Sequence, residues 1–595
     1  MFALTQSNNR FRLEMQNAHP ALHSLFGYIQ PRLERVLAFD DLNAIAESAE
    51  RIVDGDSAEN RILRVLDANC TVSEEHIQRI PADGPLIVVA NHPFGGVEGL
   101  LLASLLKRRR KDVKVMANAF LGQIAQLRDL FILVDPFGGP GAVKANLAGM
   151  KESVRWLRNG GVLAVFPAGE VSHYDDQLGQ VSDPAWSSTV GRLVQLSGAP
   201  VLPVYFEGTN GPLFQTLGMI HPWLRTLRLP HEFVNKRGTH TVARIGNAVS
   251  PERIKGFKTA ADVTSYLRIR TYLQRTETLP TTSTDIAQSA LPVVPVTETS
   301  AIRKDIMDLP EEALLVSHEA YRVYAADAPA LPSVLREIGR LRELTFRANS
   351  EGTGKDIDLD QFDEHYLHLF LWNDETSEIV AAYRLGQTDV ILPQQGKSGL
   401  YTRSLFNIRK RLLKQISPAL EMGRSFVRIE YQRQFLPLLL LWRGIGTYVV
   451  RNPRYRNLFG PVSINSNYSN SSLQLLMDFL SNNNPDRRSR WVRAKTPPTQ
   501  QFSQGFDPKT MSTVVRDFSE LSSLISDIEE DKKELPVLLK QYLKLGGVLL
   551  GFNLDADFSD VVDGLILVDL VKTERHLLER YMGKEGANSF LSHWR

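Results

Sequence analysis

Asn91-His92-Pro93-Phe94-Gly95-Gly96-Val97-Glu98-Gly99 is the stretch that decides the fold class. It follows an apolar run, Leu86-Ile87-Val88-Val89-Ala90, which predicts a buried strand. It precedes Leu100-Leu101-Leu102-Ala103-Ser104-Leu105-Leu106, which predicts a helix. A histidine and a carboxylate therefore stand on a Gly-rich turn between strand and helix. Imidazole takes a proton from a hydroxyl near neutral pH, and a nearby carboxylate fixes its tautomer and stabilises the imidazolium. Such a pair activates an alcohol for acyl transfer without a covalent enzyme intermediate. The structural alternative is a junction whose glycines serve backbone geometry and whose histidine caps the helix.

A second island tips the balance towards chemistry. Val162-Leu163-Ala164-Val165-Phe166-Pro167-Ala168-Gly169-Glu170-Val171-Ser172 is again an apolar strand ending in a tight turn, with a carboxylate and a hydroxyl at its mouth. Phe131 to Pro136 predicts another strand between the two islands, and Pro200 to Phe206 one after them. Short apolar strands separated by helical segments predict an α/β sheet whose strand ends gather polar groups at one rim.

In order and spacing these islands resemble the four blocks of the glycerolipid (lysophosphatidate-type) acyltransferases, over roughly residues 60–255. The resemblance implies an α/β domain in which His92 and Glu98 are catalytic. It also implies that Phe166, Pro167, Gly169, Glu170 and Ser172 bind substrate. The chain departs from the family pattern in three places. Five residues rather than four separate His92 from its acid, and the acid is Glu98 rather than Asp; the extra residue and the longer side chain can compensate for each other. The third block, Phe166 to Ser172, contains no arginine, and the second ends Asp135-Pro136. In the family those arginines are attributed to binding the acceptor's phosphate, a task suited to a planar bidentate donor. Their loss leads us to expect a hydroxyl acceptor on a lipid without phosphorus.

Composition bounds the rest. A chain of 595 residues exceeds one ordinary core and predicts two or three domains. With 69 Lys+Arg against 67 Asp+Glu, a net charge of +2 argues against a dedicated nucleic-acid binder. A single cysteine, Cys70, excludes an intramolecular disulfide and fits a reducing cytosol. The first ten residues lack the apolar core of a signal peptide. The longest apolar run, Phe435 to Val450, is interrupted by Arg443 and predicts a buried helix or strand. The expected location is therefore peripheral, on the cytoplasmic face of the inner membrane. Candidate membrane contacts are amphipathic helices within about residues 20–70 and the run Lys107-Arg108-Arg109-Arg110-Lys111. That run also fits a solvated helix end, or a surface for an acidic carrier protein.

Thr276 to Ser300 is rich in Thr, Ser and Pro and lacks apolar periodicity, which predicts a linker. The expected organisation is an O-acyltransferase domain over 1–275, a linker over 276–300 and a second domain over 301–595. No internal repeat is present, so the halves should differ in chemistry.

The second half opens with helical patterning around Val334 to Phe346, followed by an acidic turn, Asp358 to Tyr366. Tyr366 to Trp372 and Ile379 to Leu385 predict a hairpin across Asn373-Asp374-Glu375-Thr376-Ser377. Ala419 to Val427 leads towards Trp442-Arg443-Gly444-Ile445-Gly446. A Gly-x-Gly turn after a strand offers backbone N–H groups to a phosphopantetheine or pyrophosphate, and a plain tight turn is the alternative. Together these features resemble the GNAT (N-acetyltransferase) superfamily, and more closely its carrier-protein-dependent branch of acyl-homoserine-lactone synthases and ornithine N-acyltransferases. The resemblance implies a GNAT-like α+β domain in which Glu421 is catalytic. It further implies that Asp360, Asp363, Arg384 and Arg424 bind substrate and that Gly444 and Gly446 bind the acyl donor; Phe406 also falls on the pattern. Leu441 stands where the superfamily's loop has a leading Gln or Arg, which puts acetyl-CoA in doubt as donor. Glu421 and Arg424, three residues apart, also fit a helix-surface ion pair. Asp555 and Asp557 in the tail fit either functional or turn residues, and turns are the expected reading.

Over nearly the whole chain, the two motif sets in this order resemble the bifunctional ornithine lipid synthases of bacteria. The resemblance implies that the C-terminal half N-acylates the α-amine of ornithine with a 3-hydroxyacyl group from acyl carrier protein. The N-terminal half then O-acylates the hydroxyl of the lyso-ornithine lipid. The implied partners are acyl carrier protein and a membrane surface, with acyl-CoA as the other candidate donor; no cofactor, metal or nucleic acid is expected. Three alternatives stay open: a phospholipid acyltransferase carrying a regulatory acyl-binding module; the same chemistry on glycine, lysine or glutamine; and an inactive membrane-associated scaffold.

Overall fold

The computed structural model describes residues 2–7, 10–15, 30, 34–35, 38–118, 125–135, 142–176, 179–220, 222–275, 291–349, 351–465, 468–483, 486–498, 511, 514–529, 531–555, 558 and 561–595. The chain divides into two compact units. The first comprises 1–277 together with 503–532, and the second 278–502 together with 533–595.

The first unit is built on a seven-stranded sheet. Its strands are β1 (Asn69–Thr71), β2 (Leu86–Ala90), β3 (Val113–Asn118), β4 (Phe131–Val134), β5 (Val162–Val165), β6 (Val201–Phe206) and β7 (His240–Ile245), in the order β1-β7-β6-β2-β5-β3-β4. β6, β2, β5, β3 and β4 run parallel, and β7 is antiparallel to β6. β2, β5 and β6 are buried along their whole length, which explains their unbroken apolar sequences. Because β2 and β5 are parallel neighbours, the turns that follow them, at His92 and Phe166, emerge side by side at one rim. The Asn91 side chain pins that rim, donating to the Phe206 carbonyl at 2.9 Å and accepting from the Phe206 N–H at 2.7 Å.

The second unit holds an eight-stranded sheet. Its strands are β8 (Leu314–His318), β9 (Tyr321–Asp327), β10 (Leu367–Asn373), β11 (Glu378–Gln387), β12 (Ala419–Val427), β13 (Asn457–Ile464), β14 (Val548–Asp555) and β15 (Val561–Asp569), in the order β8-β9-β10-β11-β12-β13-β15-β14. The expected hairpin is β10–β11. Every pairing is antiparallel except β12 with β13, which pair only from Ala419↔Asn457 to Glu421↔Phe459. Beyond Glu421 the two parallel strands part and leave a cleft. Gly460 marks the point of parting, where an added Cβ would stand 2.0 Å from the Met422 carbonyl oxygen.

Two sequence expectations need correction. Residues 276–290 of the expected linker lie outside the described residues, but 291–300 is part of the second unit. Leu291 and Val294 donate to the carbonyls of Gly354 and Asp356, and a helix starts at Thr299. Threonine and proline content marked this segment as unstructured, yet main-chain hydrogen bonds dock it, among them that of the buried Thr297 N–H to Glu337 at 3.0 Å. Most of the basic run at 107–111 has protein partners, as the solvated-helix-end alternative expects. Lys107 pairs with Glu59 at 2.5 Å and Arg108 with Glu74 at 2.8 Å, while Arg109 bonds Gln78. Arg110, 4% exposed, pairs with Asp112 and donates to the carbonyls of Pro81, Gly84 and Gly160. Of the expected N-terminal amphipathic region, residues 20–29, 31–33 and 36–37 lie outside the described residues. Among the described residues, no helix is long and apolar enough to cross a membrane.

The second correction concerns 503–532, which sequence order assigned to the second domain. Asp527, on the helix Phe518–Ile528, accepts from Arg253 Nε at 2.9 Å and the Tyr266 hydroxyl at 2.6 Å. Asn247 donates to the Ile528 carbonyl at 3.0 Å. Without that helix, the fully buried Arg270, 4.0 Å from Asp527, loses its nearest acid. A fragment 1–285 is accordingly expected to melt below a fragment in which 503–532 is rejoined by a flexible linker. Equal melting temperatures in scanning calorimetry would count against this assignment.

Candidate active sites

In the first unit, the turn after β2 curls back on its own acid. Glu98, on the first turn of the helix Val97–Lys107, accepts backbone N–H bonds from Phe94 at 2.9 Å, Gly95 at 2.8 Å and Gly96 at 2.9 Å. Its Oε1 stands 2.8 Å from His92 Nδ1. The longer acid and the additional residue thus do compensate for each other: the carboxylate fills the turn and still meets the imidazole. Gly95 has φ +96°, and an added Cβ would come within 2.8 Å of Val171 and 2.7 Å of Leu229, so no other residue fits there. Burial opposes ionisation of Glu98, but the His92 contact and the turn N–H groups win and pull its carboxyl down to about 2. Burial pushes the His92 imidazole down, yet Glu98 and then Asp183 more than offset this and raise it above its ordinary value.

With Nδ1 facing Glu98, Nε2 is the nitrogen left to a substrate. His92 lines a cavity of about 1080 Å³, counting its open mouth, and its ring lies 4.8 Å from that of Phe166. The walls are apolar, from Leu42, Ile45 and Ile62 at one side to Val115, Leu127 and Phe131 at another. No arginine or lysine is among the described residues that line it. Of the third-block residues, Phe166 and Gly169 line this cavity. Pro167 is buried beneath it, and its carbonyl accepts from the Ser187 N–H. Glu170 is exposed and Ser172 is buried away from the cavity. The Ser172 hydroxyl donates to Asp183 at 2.5 Å, and its N–H donates to the His92 carbonyl at 2.8 Å. Asp183 went unmarked in the sequence because it sits in a short polar loop with no motif around it.

In the second unit the residues implied by resemblance come together, but mostly behind the cleft. Asp360 accepts from Arg384 at 2.6 Å and Arg424 at 3.4 Å, and Asp363 from Arg342 at 2.8 Å, with Arg384 3.2 Å away. Arg384 is fully buried, its guanidinium 5.1 Å from the Tyr366 ring and 5.2 Å from that of Tyr401. Burial opposes the charge of Asp363, but Arg342 and Arg384 hold its carboxyl well below the usual range. Glu421 lies on a strand, which removes the helix-surface alternative. It accepts from the Tyr366 hydroxyl, the Thr402 hydroxyl and the N–H groups of Tyr401 and Thr402. Burial raises its carboxyl. Those bonds lie beside the core around Phe406, and Glu421 touches the cleft through Tyr401, which lines it, rather than lining it itself.

The cleft between β12 and β13 has a volume of about 2120 Å³, counting its mouth. Arg424 and Tyr401 line it, together with Glu351, Asp555 and Asp563. Arg424 sits at a bulge of β12 against β11 with φ +49°, a strained conformation for a non-glycine residue. Its guanidinium lies 5.1 Å from the Tyr401 ring and 4.2 Å from that of Phe558. The Asp563 carboxyl accepts from the Ser463 hydroxyl at 2.8 Å. Burial pushes it up to about 7, with Asp555 and Glu351 adding like charge. Burial alone pushes Glu351 up to about 7. Asp555 is thus more than a turn residue, and Asp557 lies outside the described residues. An aspartate inside the apolar run Val561-Val562-Asp563-Gly564-Leu565 was the available signal for this trio.

Gly444 and Gly446 do not form a donor loop. Both lie inside the helix Phe435–Arg451, where an added Cβ would stand 2.6 Å from a Val323 methyl and 2.6 Å from the Tyr581 carbonyl, respectively. They let the helix approach its neighbours. The segment entering the cleft ahead of this helix is instead Gln432-Arg433-Gln434. Gly446→Ala is expected to cost about 1–3 kcal/mol of stability while leaving the KM for acyl donor unchanged. A raised KM at unchanged melting temperature would restore the donor-loop role.

A parallel-sheet unit with a buried His–Glu dyad lining an apolar cavity, and a second unit with a splayed parallel strand pair, are the architecture of an acyltransferase built from an acyltransferase domain and a GNAT domain. Residues 15–279 match the family described as acyltransferase, and residues 341–442 match the acetyltransferase (GNAT) domain. A glycine N(alpha)-acyltransferase of Bacteroides thetaiotaomicron is 31% identical over 262 residues, which is 42% of this chain and 77% of that protein. Its counterpart in Phocaeicola vulgatus is 30% identical over 263 residues, 41% of this chain and 79% of that protein. A lyso-glycine lipid O-acyltransferase of P. vulgatus is 25% identical over 253 residues, 40% of this chain and 85% of that protein. The chain belongs to the acyltransferase family of these N(alpha)-acyltransferases.

Proposed function

We propose that this chain makes an ornithine lipid by two successive acyl transfers. The second unit acylates the α-amine of ornithine with a 3-hydroxyacyl group carried by acyl carrier protein. The first unit then acylates the 3-hydroxyl of that lyso-lipid, at a membrane surface. In the first transfer the ornithine ammonium gives a proton to Asp563, whose carboxyl titrates near neutrality. The free amine attacks the thioester carbonyl and the carbon–sulfur bond breaks. Of the two protons the amine sheds, one leaves with the thiolate and the other passes to solvent. In the second transfer His92 Nε2 takes the hydroxyl proton as the oxygen attacks the next acyl donor, and the departing group takes that proton. The absence of cations from the described lining of the first cavity suits an acceptor without phosphate.

The observation that carries the choice of amino acid is the lining of the second cleft, where three carboxylates stand with Arg424 and Arg433. An α-carboxylate suits Arg424, while two amines, α and δ, suit Glu351, Asp555 and Asp563. Glycine has a single amine and offers these carboxylates one cation where ornithine offers two. The names of the relatives nevertheless favour glycine as the second candidate. Purified protein given 3-hydroxyacyl carrier protein and a mixture of ornithine, glycine, lysine and glutamine decides between them by mass spectrometry of the product. Acyl-ornithine is expected to dominate; acyl-glycine as the main product would overturn the choice of substrate but not the reaction class.

A further inference from the structure

We propose that Asp183 is a positioning residue for His92, locking the backbone of the histidine turn to the third-block loop and standing as a second anion beside the imidazole. It is 2% exposed and bonded on every side. Oδ1 accepts from the His92 N–H at 3.1 Å and from the Ser172 hydroxyl at 2.5 Å, and Oδ2 accepts from Trp186 Nε1 at 2.9 Å. The Asp183 N–H donates to the Tyr272 hydroxyl at 2.8 Å, and its carbonyl accepts from Arg268 Nη2 at 2.8 Å. The helix Ala260–Tyr272 therefore holds Asp183, and Asp183 in turn holds His92. The Ser172 N–H bonds the His92 carbonyl, so the histidine's own N–H and C=O are both fixed by one small network.

This arrangement divides the work between two carboxylates. Glu98 meets the ring at Nδ1, and Asp183 fixes the main chain from which the ring projects. The negative charge of Asp183 also acts on the imidazole across the turn. The other charged groups around this centre are Lys236, whose Nζ lies 4.5 Å from the Phe94 ring and whose charge is felt at Glu98, and Arg268 behind Asp183. Neither cation is placed to replace the anion that Asp183 supplies.

The inference rests on the acyltransferase role of the first unit, and the test separates the two. Histidine carrying ¹³C at Cε1 allows His92 to be titrated by NMR with no substrate present, its signal identified by its loss in His92→Gln. Asp183→Asn keeps the size of the side chain and removes the charge. The His92 titration is expected to move to lower pH, because an anion that favours imidazolium is gone, and the O-acylation rate should fall at least about tenfold through misplacement of the ring. Ser172→Ala keeps the charge, so it should leave the titration in place. A rate loss in Asp183→Asn with an unmoved His92 titration would reduce Asp183 to a fold residue, and an unchanged rate with an unchanged titration would remove it from the site. Should Asp183→Asn fail to fold, Asp183→Glu takes its place. It should keep the high titration and lose rate, and wild-type rate in that variant overturns the proposal. A titration that shifts as expected in a protein without acyl-transfer activity would sink the functional assignment and leave the positioning intact.

Discussion

His92→Ala is expected to slow the second acylation by about 10²-fold or more and to leave the first untouched, so that lyso-lipid accumulates. The expectation follows from the dyad: Nδ1 is committed to Glu98 at 2.8 Å, and the other nitrogen is the base available at the apolar cavity. A base must be neutral to accept a proton. Glu98 and Asp183 raise the imidazole above its ordinary value near 6.5. The rate should therefore climb with pH through a limb lying above that value. Glu98→Gln removes the larger of the two anions, so the limb should move to lower pH while the plateau falls, since a carboxamide offers only one oxygen to three turn N–H groups and a ring nitrogen. Glu98 also ties stability to pH. Its carboxyl titrates near 2 in the fold against an ordinary 4.5, so its contribution is complete above about 4.5 and is lost as pH falls towards 2. A His92→Ala enzyme that produced diacylated lipid at the normal rate would end the assignment of this residue as base.

Asp563→Asn is expected to lower N-acylation about 10²-fold while leaving O-acylation of supplied lyso-lipid at the wild-type rate. Asp563 faces the cleft with Arg424, accepts from Ser463, and is held near neutrality by burial. Asparagine keeps those contacts and removes the proton acceptor. In the wild type, the rate should rise with pH as Asp563 ionises, through a limb near pH 7, and the variant should lose that limb. Glu421→Gln separates the two carboxylates. Glu421 clasps Tyr366, Tyr401 and Thr402 behind the sheet, so its loss should lower the melting temperature and the rate while keeping the limb. If Glu421→Gln erased the limb and Asp563→Asn kept it, the two carboxylates would exchange roles.

The strands at Leu86–Ala90, Val162–Val165 and Val201–Phe206 were legible because burial on both faces leaves only apolar residues, and the β10–β11 hairpin because its turn chemistry is strong. The pairing of His92 with Glu98 was equally legible, since both lie within one turn. What stayed hidden depended on long-range geometry. β3 alternates buried and half-buried residues behind a basic stretch, and the placement of 503–532 on the first unit turns on Asp527 meeting residues more than 250 positions away. Gly444 and Gly446 misled because glycines in a close helix packing and glycines in a phosphate loop share one local spacing. Asp183 gave no local pattern, and Asp563 only that of an acid inside an apolar run. Each acquires its role from elements that meet only in three dimensions.

The central claim is that one chain carries both acyl transfers to an amino-acid lipid. Expression in a bacterium that makes no aminolipid, followed by lipid mass spectrometry and ninhydrin staining, addresses it directly. A phosphorus-free, ninhydrin-positive lipid with an amide-linked 3-hydroxyacyl chain bearing an ester-linked second chain is expected, reduced to the monoacyl form by His92→Ala and absent in Asp563→Asn. New phospholipid species without any aminolipid, or an aminolipid unaffected by both substitutions, would contradict it.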